Sequence, residues 1–244
     1  ELKQAGLFRL LLPRSLGGSE LPLPRYVRCI EAIAEADGSA GWCVGQGGVF
    51  ANSADGMTSE LAEEIWGCNP AAVVATGTPA GCQAVERDGA LHLTGHWRFA
   101  SGCRHADWLA AMADLSHLDG RTYFGMCIVP KAAVDLRDGW NVAGLRGTGS
   151  REYHVDSLAV PLHRGIPIGV FRSHRGAATG LPSGLLFATS FGSVGLGIAR
   201  RALDTLVDLA HDKVPAFGDR KLLEDSLVQT GFAQAEAQWW AARS

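Results

Sequence analysis

The chain has 244 residues, of which 47% are hydrophobic and 19% are charged. This balance is typical of a globular protein and argues against disorder. The chain carries 22 Lys and Arg residues against 25 Asp and Glu residues, a net charge of -3, with no basic stripe. We therefore expect no nucleic-acid partner.

Two uncharged stretches, residues 38–54 and 176–199, are interrupted by Gly and Ser and are not convincing membrane spans. Residues 1–4 do not open a signal peptide. We therefore predict a cytoplasmic protein without membrane association. The six cysteines form no CxxC pair, and no His or Cys pair has zinc-ligand spacing, so we predict reduced thiols and no metal site.

Helical spacing dominates residues 1–67, which we predict to be an N-terminal helical domain. Pro24 suits the first turn of a helix, and Gly38 is placed to end that helix. A second helix is predicted to begin near Thr58 or Ser59 and to end at Gly67.

Residues 68–165 are predicted to form a central β domain, because short alternating runs follow one another there. Asp88 and Gly89 separate two such runs and are a strong two-residue hairpin signal. About seven short strands with turns between them predict a barrel or a sandwich.

Helical spacing returns in residues 166–244, with an apolar face from Ile198 to Ala210 and a second helix from near Leu222. That helix reaches the last residue without a capping signal, so we expect only the start of a C-terminal helical bundle, truncated here. Gly195 and Gly197 are interpreted as helix-packing residues in preference to a phosphate site. The predicted fold class is α+β, in the order helical domain, β domain, helical bundle.

Two clusters are candidates for a site. In the first, Trp97 and Phe99 are expected to lie on one face of a strand that ends at Ser101 and Gly102. Aromatic surface beside a hydroxyl and free backbone amides suits a flat ring with polar edges. Spacing alone favours the alternative, a core aromatic pair followed by a turn.

The second cluster is the glycine-rich loop 144–150, which follows Trp140 and contains Arg146, Thr148 and Ser150. Its amides, hydroxyls and guanidinium could hold an anion or the edge of a polar ring. An ordinary long turn explains its composition equally well.

Both clusters also resemble parts of the acyl-CoA dehydrogenase family. The segments that carry the resemblance, in family order, are 6–18, 31–42, 97–102, 140–150, 155–156 and 160–161. The resemblance implies an N-terminal helical domain, a β barrel-like domain and a C-terminal four-helix bundle. It also implies a flavin held between the β domain and the bundle, usually in a homotetramer.

One motif departs from the dehydrogenase pattern. Acyl-CoA dehydrogenases usually carry Thr-Glu-Pro-x-Ala-Gly-Ser, whereas residues 76–82 lack the Glu and end in Cys82. The aromatic-Ala-Ser-Gly and Leu-Arg-Gly-Thr-Gly-Ser motifs are more similar to two-component flavin monooxygenases. That branch hydroxylates aromatic or related small molecules with O2 and with reduced flavin from a partner reductase.

The resemblance to this branch implies a role for each residue of the two clusters. Reduced FAD or FMN would bind against Trp97 and Phe99, and Ser101 would be the catalytic residue, hydrogen-bonding near flavin N5. Further cofactor-binding residues would be Trp140, Arg146, Thr148 and Ser150. The alternatives are an FAD-dependent acyl-CoA dehydrogenase and a non-catalytic subunit that keeps the fold without flavin.

Overall fold

A computed structural model of the protein describes residues 1–168 and 181–244. Residues 169–180 at the start of the predicted bundle lie outside the described residues. Five α-helices and eight β-strands occupy the described part of the chain. The helices are α1 Leu23–Ala36, α2 Gly38–Asn52, α3 Ser59–Ala62, α4 Ser183–Asp212 and α5 Ser226–Arg243.

The N-terminal region is helical as predicted, but the role assigned to Gly38 is wrong. Asp37 ends α1 and at once caps α2, since its Oδ1 accepts a hydrogen bond from the Ala40 amide at 2.8 Å. Gly38 is therefore the first residue of α2. Residues 38–52 are rich in glycine and apolar on every side, which hides the amphipathic period of a surface helix and is typical of a buried one. The predicted cap at Thr58 is confirmed, and α3 continues as a π-helical turn, Glu63–Gly67, to the predicted end.

All eight strands belong to one sheet. They are β1 Val74–Thr76, β2 Thr78–Arg87, β3 Ala90–Ala100, β4 Trp108–Ser116, β5 Thr122–Pro130, β6 Asp135–Arg137, β7 Arg151–Pro161 and β8 Gly165–Pro167. The order is β6-β7-β3-β2-β4-β5-β8, with β1 parallel to β4. The predicted hairpin between β2 and β3 is confirmed, because Asp88 and Gly89 both have the positive φ of a two-residue turn.

The sheet is open among the described strands. Its edges are β6 and β8, which have three residues each and pair on one side only. The prediction of a mixed α+β fold is confirmed, whereas closure into a barrel is not. The limits of the three domains stay a prediction.

The start of the bundle packs on the N-terminal helices. Helix α4 crosses α1 at Gly197, where an added Cβ would lie 2.3 Å from the Glu31 carbonyl oxygen. Gly195 lies two residues earlier on α4, and a Cβ added there would meet open space. The packing interpretation of this pair therefore applies to Gly197. None of the described helices has an apolar stretch long enough to cross a membrane.

We predict that Gly197→Ala destabilises the protein, because the methyl group collides with the α1 backbone, which cannot move aside. The expected loss is about 1–3 kcal/mol of unfolding free energy, typical of overpacking. Gly195→Ala is the matched control and should stabilise by about 0.5–1 kcal/mol through helix propensity. Urea unfolding of both variants tests the pair, and equal effects would contradict the crossing.

Candidate functional site

A cavity of about 440 Å³ opens between α2, the end of β3, the loop before β7 and α4. It unites the two clusters predicted from the sequence. Its lining residues are Trp42, Gln46, Thr78, Phe99, Ser101, Trp140, Val142, Gly144, Leu145, Thr148, Ser150 and Phe191.

The end of β3 turns sharply at Phe99, which has a φ of 57°. A left-handed φ is rare for a bulky residue and marks a locally strained backbone. The bulge interrupts pairing with β7 between Trp97 and Ala100 and turns Phe99 outward, leaving it 57% exposed. The prediction that Trp97 and Phe99 share one face is therefore wrong, because the turn breaks the alternation of the strand.

Trp97 lies in the core and not along the cavity. Its ring is fully buried and stacks on Tyr153 with 4.9 Å between ring centroids. Its indole N–H donates to the Met112 carbonyl oxygen at 2.8 Å. Phe99 instead meets Trp140 edge to face across 6.3 Å, so these two rings supply the aromatic surface expected of the first cluster.

The backbone amides at the end of β3 are not free, contrary to the prediction. The Ser101 amide donates to the Phe99 carbonyl oxygen, and the Gly102 amide donates to the Thr148 carbonyl oxygen at 2.9 Å. Gly102 has a φ of 78°, which suits glycine. The second of these bonds joins the strand end to the glycine-rich loop.

Within that loop, Thr148 and Ser150 are buried and line the cavity, whereas Arg146 is exposed and does not line it. A short 3-10 turn, Arg146–Thr148, points the Thr148 hydroxyl back at the Leu145 carbonyl oxygen, 2.9 Å away. Trp140 lies over the same turn, and its N–H donates to that oxygen at 3.4 Å.

Three hydroxyls form a continuous chain along one wall of the cavity. Ser101 Oγ lies 2.7 Å from Ser150 Oγ, which lies 2.6 Å from Thr148 Oγ1. Trp42 donates its indole N–H to Ser101 Oγ at 3.1 Å. This chain of buried hydroxyls is the polar feature that distinguishes the cavity.

The hydrogen-bond directions in this hydroxyl chain follow from the groups at its two ends, the Leu145 carbonyl oxygen and the Trp42 indole N–H. A carbonyl oxygen can only accept, so Thr148 donates to Leu145, Ser150 donates to Thr148 and Ser101 donates to Ser150. If an acceptor in the cavity takes the Ser101 hydrogen, Ser150 can donate to Ser101 and Thr148 can donate to Ser150 instead. All four donors, including the Trp42 indole, keep a partner in either arrangement. Ser101 can therefore serve a ligand without leaving a buried donor unpaired.

Sequence reasoning did not assign three lining residues from the helices. Trp42 and Gln46 are one turn apart on α2, and their i, i+4 spacing could have placed them on one face. Phe191 of α4 stacks on Trp42 with ring centroids 4.1 Å apart. Gln46 Oε1 is buried and accepts no hydrogen bond from the described residues.

No charged side chain lines the cavity among the described residues. Nearby titratable groups are held neutral: burial raises the pKa of Cys43 to about 12 and lowers the pKa of His105. Among the described lining residues there is therefore no acid or base that could activate one of the hydroxyls as a nucleophile. The cavity suits an uncharged aromatic ring.

Comparisons with known proteins identify the fold. Residues 189–244 match the family model described as "Acyl-CoA dehydrogenase, C-terminal domain". The solved structure of 3-HSA hydroxylase from Rhodococcus sp. RHA1 is similar, with a TM-score of 0.87 and 28% identity over 98% of this chain and 64% of that one. The chain has the acyl-CoA dehydrogenase-like fold.

Two curated relatives of this acyl-CoA dehydrogenase-like chain are monooxygenase or hydroxylase components. It is 32% identical over 245 residues to indole-3-acetate monooxygenase of Pseudomonas putida, covering 99% of this chain and 62% of that protein. It is 30% identical over 261 residues to the oxygenase component of the FADH(2)-dependent resorcinol hydroxylase of Rhizobium sp. (strain MTP-10005), covering 99% and 62%. The chain spans less than two thirds of the length of each of these relatives. The resemblance to the acyl-CoA dehydrogenase family and its two-component monooxygenase branch, predicted from the sequence, is confirmed.

We predict that Ser150→Ala in this acyl-CoA dehydrogenase-like chain lowers the free energy of unfolding by about 1–3 kcal/mol, because it removes the central acceptor and donor of a buried hydroxyl chain. The control is Ser116→Ala, which removes a hydroxyl from a surface pair with Thr122 and should change stability by less than about 0.5 kcal/mol. Urea unfolding measures both variants. Equally small changes in unfolding free energy in both variants would show that the hydroxyl chain does not stabilise the folded state.

Proposed function

We propose that this chain is part of a flavin-dependent monooxygenase that hydroxylates an aromatic or related small molecule. The observation that carries the proposal is the neutral, aromatic cavity with a hydroxyl chain along one wall. The names of the two relatives support it, since both act as oxygenases or hydroxylases. The name of the Rhizobium relative favours reduced FAD, and FMN is the alternative.

The cavity fits a planar ring with polar edges. Phe99 and Trp140 offer apolar surface, while Ser101, Thr148 and Ser150 offer hydroxyls along one side. The unpaired Gln46 Oε1 would accept a hydrogen bond from a ring N–H. We therefore assign ring contact to Phe99 and Trp140 in place of Trp97, and we assign no contact to Arg146.

Reduced flavin, when bound, supplies the electrons that activate O2, so that one oxygen atom enters the substrate and the other leaves as water. The chain's own residues position the reactants and exclude water. Trp42, Phe191 and Phe99 form apolar walls, which limit hydration of the reacting atoms. Ser101 holds a proton at Oγ and can turn it toward an acceptor in the cavity when Ser150 donates to Ser101 in its place.

The base that a phenolic substrate would need is absent from the cavity lining among the described residues. We propose that the bundle supplies such a group, as the resemblance implies. Apolar side chains on α4 and α5 are exposed, among them Leu209, Leu227 and Trp240. They support further packing against bundle helices or another subunit.

The proposal includes a flavin reductase as a transient partner, because the Rhizobium relative is named as an oxygenase component. It also includes a homotetramer in the cytoplasm. Light scattering tests the assembly, and a monomer would contradict it.

The dehydrogenase alternative receives less support. Residues 76–82 lack the Glu of the dehydrogenase motif, and the two relatives compared above are not dehydrogenases. Reduction of the bound flavin by an acyl-CoA in the absence of O2 would favour that alternative. Failure to bind flavin in either redox state would favour a non-catalytic subunit.

Ser101→Ala is predicted to raise the share of O2 released as hydrogen peroxide by about 2- to 10-fold, the factor expected for one hydrogen bond of about 0.5–1.5 kcal/mol. The reason is that the variant removes the hydroxyl that lies next to Trp42 and can turn its hydrogen toward the cavity. Product and peroxide are measured per reduced flavin consumed. Ser116→Ala is the control and should leave the ratio unchanged, while unchanged coupling in Ser101→Ala would overturn the assigned role.

A further inference from the structure

A second cluster of chemically active side chains lies on the sheet away from the cavity. His96 of β3 and Glu152 and His154 of β7 offer ligand atoms that all lie within 4.8 Å of one another. His96 Nε2 is 2.8 Å from Glu152 Oε2. The two imidazole rings stack with centroids 3.9 Å apart. All three side chains are partly exposed, and the two histidines line an open depression of about 450 Å³.

The strand register forces this grouping. His96 pairs directly with His154, and Glu152 is two residues before His154 on the same face of β7. The neighbouring pair, Trp97 with Tyr153, points to the opposite face and fills the core. The cluster therefore lies on the outer face of the sheet, opposite the stacked core rings.

We propose that His96, Glu152 and His154 bind a divalent transition-metal ion, with Zn²⁺ as the best-matched ion. Two imidazole nitrogens and one carboxylate oxygen form a ligand set that Zn²⁺ uses with a further position left for water or another ligand. Tetrahedral coordination requires ligand atoms about 3.4 Å apart, so small side-chain rotations complete the site.

The surrounding charges favour a cation. Asp135 of β6 is in register with His154, and Asp156 lies at the same depression. Among the described residues that line this depression, Arg137 is the one Lys or Arg, and its Nε donates to Asp135 Oδ2 at 3.0 Å. Besides Glu152 itself, two carboxylates therefore flank the cluster, against one guanidinium that is already paired with Asp135.

The ion would join β3 to β7, the two strands whose ends hold the hydroxyl chain of the cavity. Its binding is independent of the proposed monooxygenase activity, because none of its ligands lines that cavity. Stabilisation on adding Zn²⁺ is expected, since an ion that binds only the folded state shifts the equilibrium toward it.

Zn²⁺ binding to the metal-stripped protein is measured by calorimetry, and Co²⁺ replaces it to report coordination by visible absorption. We expect a single ion per chain and a Tm that rises with Zn²⁺. His154→Ala and Glu152→Gln should each weaken binding at least about tenfold, since even outer partners of a metal site are worth 10- to 100-fold. The matched control is His163→Ala, which removes a surface imidazole paired with a single carboxylate, Glu64.

The Tm of each variant without metal shows whether it is folded, and Glu152→Gln keeps the side-chain shape if His154→Ala is unstable. Loss of binding in the two cluster variants but not in His163→Ala supports the site. Equal binding by all variants, several weak ions per chain or no Tm response would overturn it.

Discussion

The pairing of β3 with β7 is the constraint on which the polar wall of the cavity depends. Ala100 pairs with Arg151, so Ser101 and Ser150, the residues just beyond each partner, lie side by side and their hydroxyls meet at 2.7 Å. A register shift of one residue would point each side chain to the other face and separate them. The left-handed turn at Phe99 depends on the same pairing, since the bulge lies between the pairs that involve Trp97 and Ala100.

The lack of charge in the cavity limits what the described residues can do by themselves. Hydroxyls and indoles orient a ligand and exclude water, but they do not transfer electrons or break strong bonds without a cofactor. The three-hydroxyl chain adds one adjustable feature, because its bonds can reverse direction while every donor stays paired. A site of this composition agrees with a flavin enzyme and disagrees with hydrolysis by a side-chain nucleophile.

Much of the fold could be predicted locally, and the site only in part. The Asp88-Gly89 hairpin and the Thr58 cap depend only on residues adjacent in the chain, so the local sequence reveals them. The sequence pattern does not reveal α2, because glycines and burial on nearly every side remove its amphipathic period. Trp97 and Phe99 lie on different sides because of the bulge between Trp97 and Ala100 in the pairing with β7. Spacing along the chain cannot reveal the His96, Glu152 and His154 cluster, because strand register joins residues more than fifty positions apart.

The most direct test of the account is an anaerobic titration of the protein with reduced FAD and FMN, followed by rapid mixing with O2. Flavin absorbance and O2 are followed together. We predict tighter binding of reduced than of oxidised flavin and a delay between O2 consumption and the return of oxidised-flavin absorbance. Tight binding of oxidised flavin, with prompt reoxidation and no delay, would contradict the monooxygenase and favour a dehydrogenase.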